Sequence, residues 1–125
     1  MRPVSRTLPV SADTAWRLLT DTRAWPEWGP SVSAVECPGR YIEAGMEGRV
    51  RTPAGPWIPF LITEFDPQRR YWAWRVAGVP ATGHRVTPVD ADHCEVAFLV
   101  PRWAPFYARI CEIALDRIEA AAGGG

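Results

Sequence analysis

The chain has 125 residues, long enough to bury a core without disulfide or metal staples, and reads as a single domain over 1–125. Its 14 basic and 14 acidic side chains cancel to a formal charge of zero, which speaks against nucleic acid as a partner, since that needs a basic surplus. No run of about 18 apolar residues suggests a membrane span, and Met1-Arg2-Pro3 leads into alternation rather than a signal-peptide core, so a cytoplasmic location is expected.

Val4, Arg6, Leu8 and Val10 alternate with Pro3, Ser5, Thr7 and Pro9, which predicts a first strand with one apolar face. Arg6 on that face either snorkels to water or faces an interior pocket. Ser11 caps a helix over Ala12–Thr20, with Asp13 in its first turn and Trp16, Leu18 and Leu19 on its buried side. Asp21-Thr22 ends it and caps a second short helix over Thr22–Trp25, before the proline- and glycine-broken Pro26-Glu27-Trp28-Gly29-Pro30. Six strands follow. They are Ser31–Glu36, Gly45–Arg51, Trp57–Phe65, Tyr71–Ala77, Gly83–Val89 and Cys94–Val100, separated by proline, glycine and aspartate turns. The strand Trp57–Phe65 is apolar on both faces, Ile58, Phe60 and Ile62 against Trp57, Leu61 and Phe65, so alternation leaves its inward face open. A last helix over Pro105–Ala121 carries the stripes Phe106, Ile110, Ile113, Arg117 and Tyr107, Ile110, Ala114, Ile118. That face is broad enough to cover a sheet.

Short turns between the six strands imply an antiparallel meander, and curving it around the last helix buries both. Several segments in this order resemble the START-like helix-grip superfamily, also called SRPBCC, which includes polyketide cyclases and dehydrases. They are Leu8-Pro9-Val10-Ser11-Ala12-Asp13-Thr14-Ala15-Trp16, Asp21 with Trp25-Pro26-Glu27-Trp28, Thr63-Glu64-Phe65-Asp66-Pro67 with Tyr71-Trp72-Ala73-Trp74-Arg75-Val76, and Asp90-Ala91-Asp92 before Cys94-Glu95-Val96. The resemblance spans the whole chain. It implies an α+β helix-grip fold: a curved seven-stranded antiparallel sheet around a long C-terminal helix, with two short helices after strand 1. It also implies a cavity between sheet and helix for an apolar or aromatic small molecule, and the shortness of the chain points to a small one. Fold likeness alone goes no further than that.

Seven tryptophans in so short a chain suit a crowded core, a cavity wall or an interface. The inward candidates are Trp72, Trp74, Val76, His84, Val86, Val96 and Phe98 from the sheet, and Trp103, Phe106, Ile110 and Ala114 from the last helix. Trp28 is expected near the mouth, and Trp57 or Phe60 in the wall according to the register of its strand. His84 is the candidate for acid–base chemistry, because imidazole exchanges protons near neutral pH and an indole wall would lower its pKa by desolvation. The competing reading of His84 is a bond to a main-chain group. Arg6, Glu47, Glu64, Tyr71 and Tyr107 are possible polar handles.

No metal is predicted: His93 and Glu95 point to one side of their strand and Cys94 to the other. Cys37, Cys94 and Cys111, with no CxxC spacing, read as reduced thiols. No cofactor is implied, as there is no GxGxxG, P-loop or GxSxG pattern. The leading function is a binding protein for an apolar or aromatic, lipid- or polyketide-like molecule. A polyketide cyclase or dehydrase-type enzyme using the same cavity is the first alternative. A protein-interaction module with Trp25 and Trp57 as exposed anchors is the second. His84 beside a second polar side chain in the cavity would favour the enzyme, an apolar cavity without convergent polar groups the carrier, and a filled interior with tryptophans outside the module. A homodimer through the outer sheet face is a further possibility.

Overall fold

A computed structural model describes residues 2–123. The chain runs β1 (Arg2–Leu8), α1 (Ala12–Thr20), α2 (Trp25–Trp28), β2 (Ala34–Glu36), β3 (Glu47–Arg51), β4 (Trp57–Asp66), β5 (Tyr71–Val76), β6 (Val79–Asp90), β7 (His93–Val100) and α3 (Tyr107–Gly123). All seven strands form one open antiparallel sheet in the order β1-β7-β6-β5-β4-β3-β2. The helix α3 packs on β1, β7, α1 and α2. This is the α+β helix-grip arrangement.

The helix α1 starts where Ser11 Oγ accepts the main-chain N–H of Thr14 at 3.2 Å, which satisfies one of the free donors of its first turn. Its last carbonyls are met by α2: Trp25 Nε1 donates to Leu19 O at 2.9 Å and Trp28 Nε1 to Leu18 O at 2.8 Å. The short helix begins three residues later than the sequence predicts. Asp21 and Thr22 are held by Arg40 instead: the Asp21 carboxylate accepts from its guanidinium, and Thr22 N donates to Arg40 O at 2.7 Å. Pro26 then falls in the first turn, where no N–H is missed.

In β4 the inward face is Ile58, Phe60 and Ile62. A register shift between Ile62 and Glu64 reverses the parity, and Phe65 stacks on Trp16 with centroids 5.8 Å apart. Phe65 therefore belongs inside, against its grouping with Trp57 and Leu61. Trp57 lies under the Arg49 guanidinium, 4.9 Å from its ring centroid.

The strand β6 starts at Val79 rather than Gly83, because the expected break at Gly78-Val79-Pro80 is a two-residue hairpin turn. Val76 pairs with Val79, and Ala77 and Gly78 have φ of +55° and +76°, the twist-matched turn that needs two left-handed residues. Alanine is costly there. Ala77→Gly is expected to stabilise the fold by about 0.5–1 kcal/mol, the relief of the left-handed alanine less the entropy of a new glycine; urea denaturation checks it.

Along α3 the buried positions are Cys111, Ala114, Leu115 and Ile118. The first predicted stripe is thus displaced: Arg117 is exposed, and Phe106 lies before the helix with 69% of its surface exposed, while Ala114 and Ile118 of the second stripe are buried. Arg6 reaches past the edge of the sheet to an ion pair with Asp116 of α3, so it snorkels.

Candidate functional site

Two adjoining chambers lie between the sheet and α3. The outer one measures about 220 Å³ and is walled by Val50, Thr52, Ile58, Trp74, Val76 and Ala81 of the sheet region and by Pro101, Trp103 and Ala104 of the loop before α3. Val79 and Trp103, 41% and 58% exposed, form its rim. The inner one measures about 40 Å³ and is walled by Trp25, Trp28, Trp72, His84 and Phe98, with Ile110, Cys111 and Ala114 of α3. Ser31, Val32, Trp74, Thr82 and Tyr107 line both chambers and form the neck between them.

A bulge sets the neck. Between Ala73–Gly83 and Arg75–Pro80 the register shifts, so Ala81 and Thr82 together oppose Trp74. Thr82 and His84 then share the inward face two residues apart. Trp74 Nε1 donates to Thr82 Oγ1 at 3.2 Å, Thr82 Oγ1 lies 3.0 Å from His84 Nε2, and His84 Nδ1 lies 3.3 Å from Trp72 O. A carbonyl only accepts, so Nδ1 carries the proton of the neutral ring and Nε2 accepts from the Thr82 hydroxyl. The chain of donors runs one way, from Trp74 through Thr82 and His84 to the Trp72 carbonyl. His84 also stacks on Trp72, 3.8 Å between centroids and 15° between planes, with Phe98 edge-on at 5.3 Å. Burial pushes its pKa down to about 3, against a small upward pull from the bond to Trp72 O.

Across the neck, the hydroxyls of Ser31 and Tyr107 are 2.6 Å apart. Burial raises the Tyr107 pKa, outweighing the Ser31 bond, so the phenol is neutral near pH 7. Cys111 is pushed up to about 12 by burial and by Glu112. His84, Tyr107 and Cys111 are the ionisable residues on the two walls, and each is uncharged near neutrality. Trp72 Nε1 is the buried side-chain donor with no partner among the described residues.

Several expected residues fall elsewhere. Phe106 projects to solvent beside the rim. Trp57 lies on the opposite face of β4 from Phe60, and Phe60 is buried beneath the cavity against Trp25 and Trp74. Val86 and Val96 are in the core below the inner chamber rather than on its wall. Trp25, expected as an exposed anchor, is 2% exposed. Sequence reading missed Thr82, Ser31, Ala81, Val50, Thr52 and Ala104. Thr82 had a signal, being two residues before His84, but the strand was predicted to begin after it.

The family described as polyketide cyclase / dehydrase and lipid transport matches residues 3–123. The chain belongs to that family. No curated protein matches its sequence. Among solved structures, the Zhui aromatase/cyclase of Streptomyces sp. R1128 is similar with a TM-score of 0.70 at 19% identity, covering 98% of this chain and 93% of its own. XoxI of Bacillus cereus has a TM-score of 0.76 at 14% identity, with 97% and 94% covered. Norcoclaurine synthase of Thalictrum flavum, in complex with dopamine and hydroxybenzaldehyde, has 0.63 at 13%, with 96% and 84% covered. At these identities the likeness is one of fold. The outer wall of this chain carries no aspartate, glutamate, arginine, lysine or histidine. Among the described residues no helix is long and apolar enough to cross a membrane.

Proposed function

We propose that the chain binds a small, uncharged, aromatic or otherwise apolar molecule, with its body in the outer chamber and a polar end at the neck. The observation that carries this is the lining. An uncharged wall rejects ions, which would lose their hydration without a partner, and three hydroxyls, of Ser31, Tyr107 and Thr82, gather at the neck, with that of Thr52 on the outer wall. At about 220 Å³ the chamber falls below the range of roughly 300–1,000 Å³ used by drug-sized ligands, so a one- or two-ring compound suits it better than a two-chain lipid. Burying roughly 200 Å² of aromatic surface gains about 5 kcal/mol. The cost of immobilising the ligand is set against that gain, and the neck hydrogen bonds add to the gain.

The enzyme reading has one observation in its favour. The Tyr107 hydroxyl, kept protonated and set against Ser31, is placed to donate to a carbonyl oxygen at the neck and to stabilise charge developing there. His84 adds little to it: both ring nitrogens are engaged, and a pKa of about 3 makes a weak base at neutral pH. It stands beside Thr82, a second polar side chain, but its role in this reading is to orient that hydroxyl.

Calorimetric titration with neutral phenols, aryl ketones and matched hydrocarbons tests the proposal. Saturable binding is expected, tighter for the oxygenated compounds. Ala81→Phe, which fills the outer chamber from a strand position, is expected to weaken it by about tenfold or more while leaving the melting temperature near that of the parent. A panel without saturable binding overturns the reading. Turnover of a bound ketone that disappears in Tyr107→Phe, with binding kept, would decide for the enzyme.

A further inference from the structure

We propose that the rim of the outer chamber is a docking surface for an anionic lipid bilayer. Among the stretches of the sequence without a carboxylate are 28–35, 48–63, 67–89 and 96–111. Every residue lining the outer chamber lies in one of them. None of the acidic residues that balance the net charge to zero lies on the wall of the outer chamber. Around it, Arg51 at the end of β3, Arg75 at the end of β5 and Arg102 beside Trp103 are all exposed, and none pairs with a carboxylate among the described residues.

The same end carries Val79, Trp103 and Phe106, three of the five large apolar side chains that are exposed among the described residues. Trp103 is held rather than loose: its Nε1 donates to Pro80 O at 2.9 Å, which ties the loop before α3 to the β5–β6 hairpin. Indole and phenyl groups beside arginine are the composition that settles at the boundary between headgroups and acyl chains. The opening lies among these side chains, so whatever they touch faces an apolar chamber. A bilayer is the partner from which an apolar molecule can pass into that chamber without crossing water. The purpose of the contact rests on the ligand-binding reading, but the contact itself is measured without any ligand.

The test is cosedimentation of the full chain with vesicles of phosphatidylcholine alone and of phosphatidylcholine with phosphatidylglycerol. Binding is expected to be tighter to the anionic vesicles by about fivefold or more and to weaken with salt, the contribution of arginines near a negative surface. Phe106→Ala is expected to weaken it by about tenfold, the loss of one buried aromatic ring. Arg102→Glu is expected to weaken it by about fivefold or more. Neither residue lines the chamber, so titrations in vesicle-free buffer should give both variants the parent's ligand affinity. Vesicle binding with no ligand binding would leave the docking surface standing and remove the cargo reading. Two results overturn the proposal: sedimentation that Phe106→Ala leaves unchanged, or a parent chain that ignores both vesicles, in which case a dimer that Phe106→Ala dissolves would assign the surface to a second copy instead.

Discussion

The protein is expected to lose about 1.4 kcal/mol of stability for each pH unit below 6.5, until the pH approaches 3. The cause is His84, whose ordinary pKa of 6.5 is lowered to about 3 in the folded chain. The sign follows from proton counting. Above 6.5 neither the folded nor the unfolded chain protonates the ring, and the full stability is present. Between 6.5 and 3 the unfolded chain takes up a proton that the folded chain refuses, so acid draws the equilibrium toward unfolding. Near pH 3 the cumulative loss is of the order of 5 kcal/mol, comparable with the whole stability of a modest domain. Asp21 adds to this only at lower pH. Burial opposes its charge, but the Arg40 guanidinium and the Arg23 N–H outweigh that and hold its pKa below 3.8, so its contribution is present above 3.8 and lost further into acid. Urea denaturation at a series of pH values separates the two. His84→Gln should flatten the curve between about pH 4.5 and 7 and leave the steeper acid limb. A parent slope that survives unchanged in that variant would falsify the assignment.

Trp25→Ala should cost about 4–6 kcal/mol, the usual loss for a buried indole plus one hydrogen bond. The residue is 2% exposed and touches three other aromatic rings: Trp72 stacked at 5.5 Å, Trp74 edge-on at 5.3 Å and Phe60 at 5.6 Å. Its N–H also serves the last turn of α1 through Leu19 O. Removing it opens a void under the inner chamber and leaves a helix-terminal carbonyl without its partner. Trp25→Phe keeps a ring and should recover more than half of the loss. Trp57→Ala is the contrast: that indole is half-buried on the far face of β4 with Arg49 over it, and the expected cost is about 1 kcal/mol or less. Denaturation of the three variants checks the order, and equal costs for Trp25→Ala and Trp57→Ala would contradict the placement.

Much of this architecture was legible because alternation and helical spacing are local. Val96, Phe98 and Val100 marked one face of β7, and Tyr107, Ala114 and Ile118 marked the inward side of α3. What was not legible depended on bulges and turns. The shift in β4 that turns Phe65 inward changes parity within a strand, and parity is what an alternation argument assumes. The Ala77-Gly78 turn was read as an end because Pro80 follows it, and so the polar centre of the site was cut from its strand. Phe106 and Trp103 were placed inside on the strength of a helix that starts at Tyr107, after both.

The pairing of Arg2 with Val100, and the tie from Arg6 to Asp116, set an order of assembly. Each of β3 to β7 finds its ladder neighbour across a short connection. The first strand, although made first, has no neighbour until nearly the whole chain exists, and the entropy of closing so long a loop is about 4 kcal/mol. On that ground the β3–β7 meander collapses early, and β1 docks late together with α3. Until then the outer edge of β7, Cys94 to Val100, is an unpaired apolar ladder, and in a newly made chain that is where association between copies is most readily seeded.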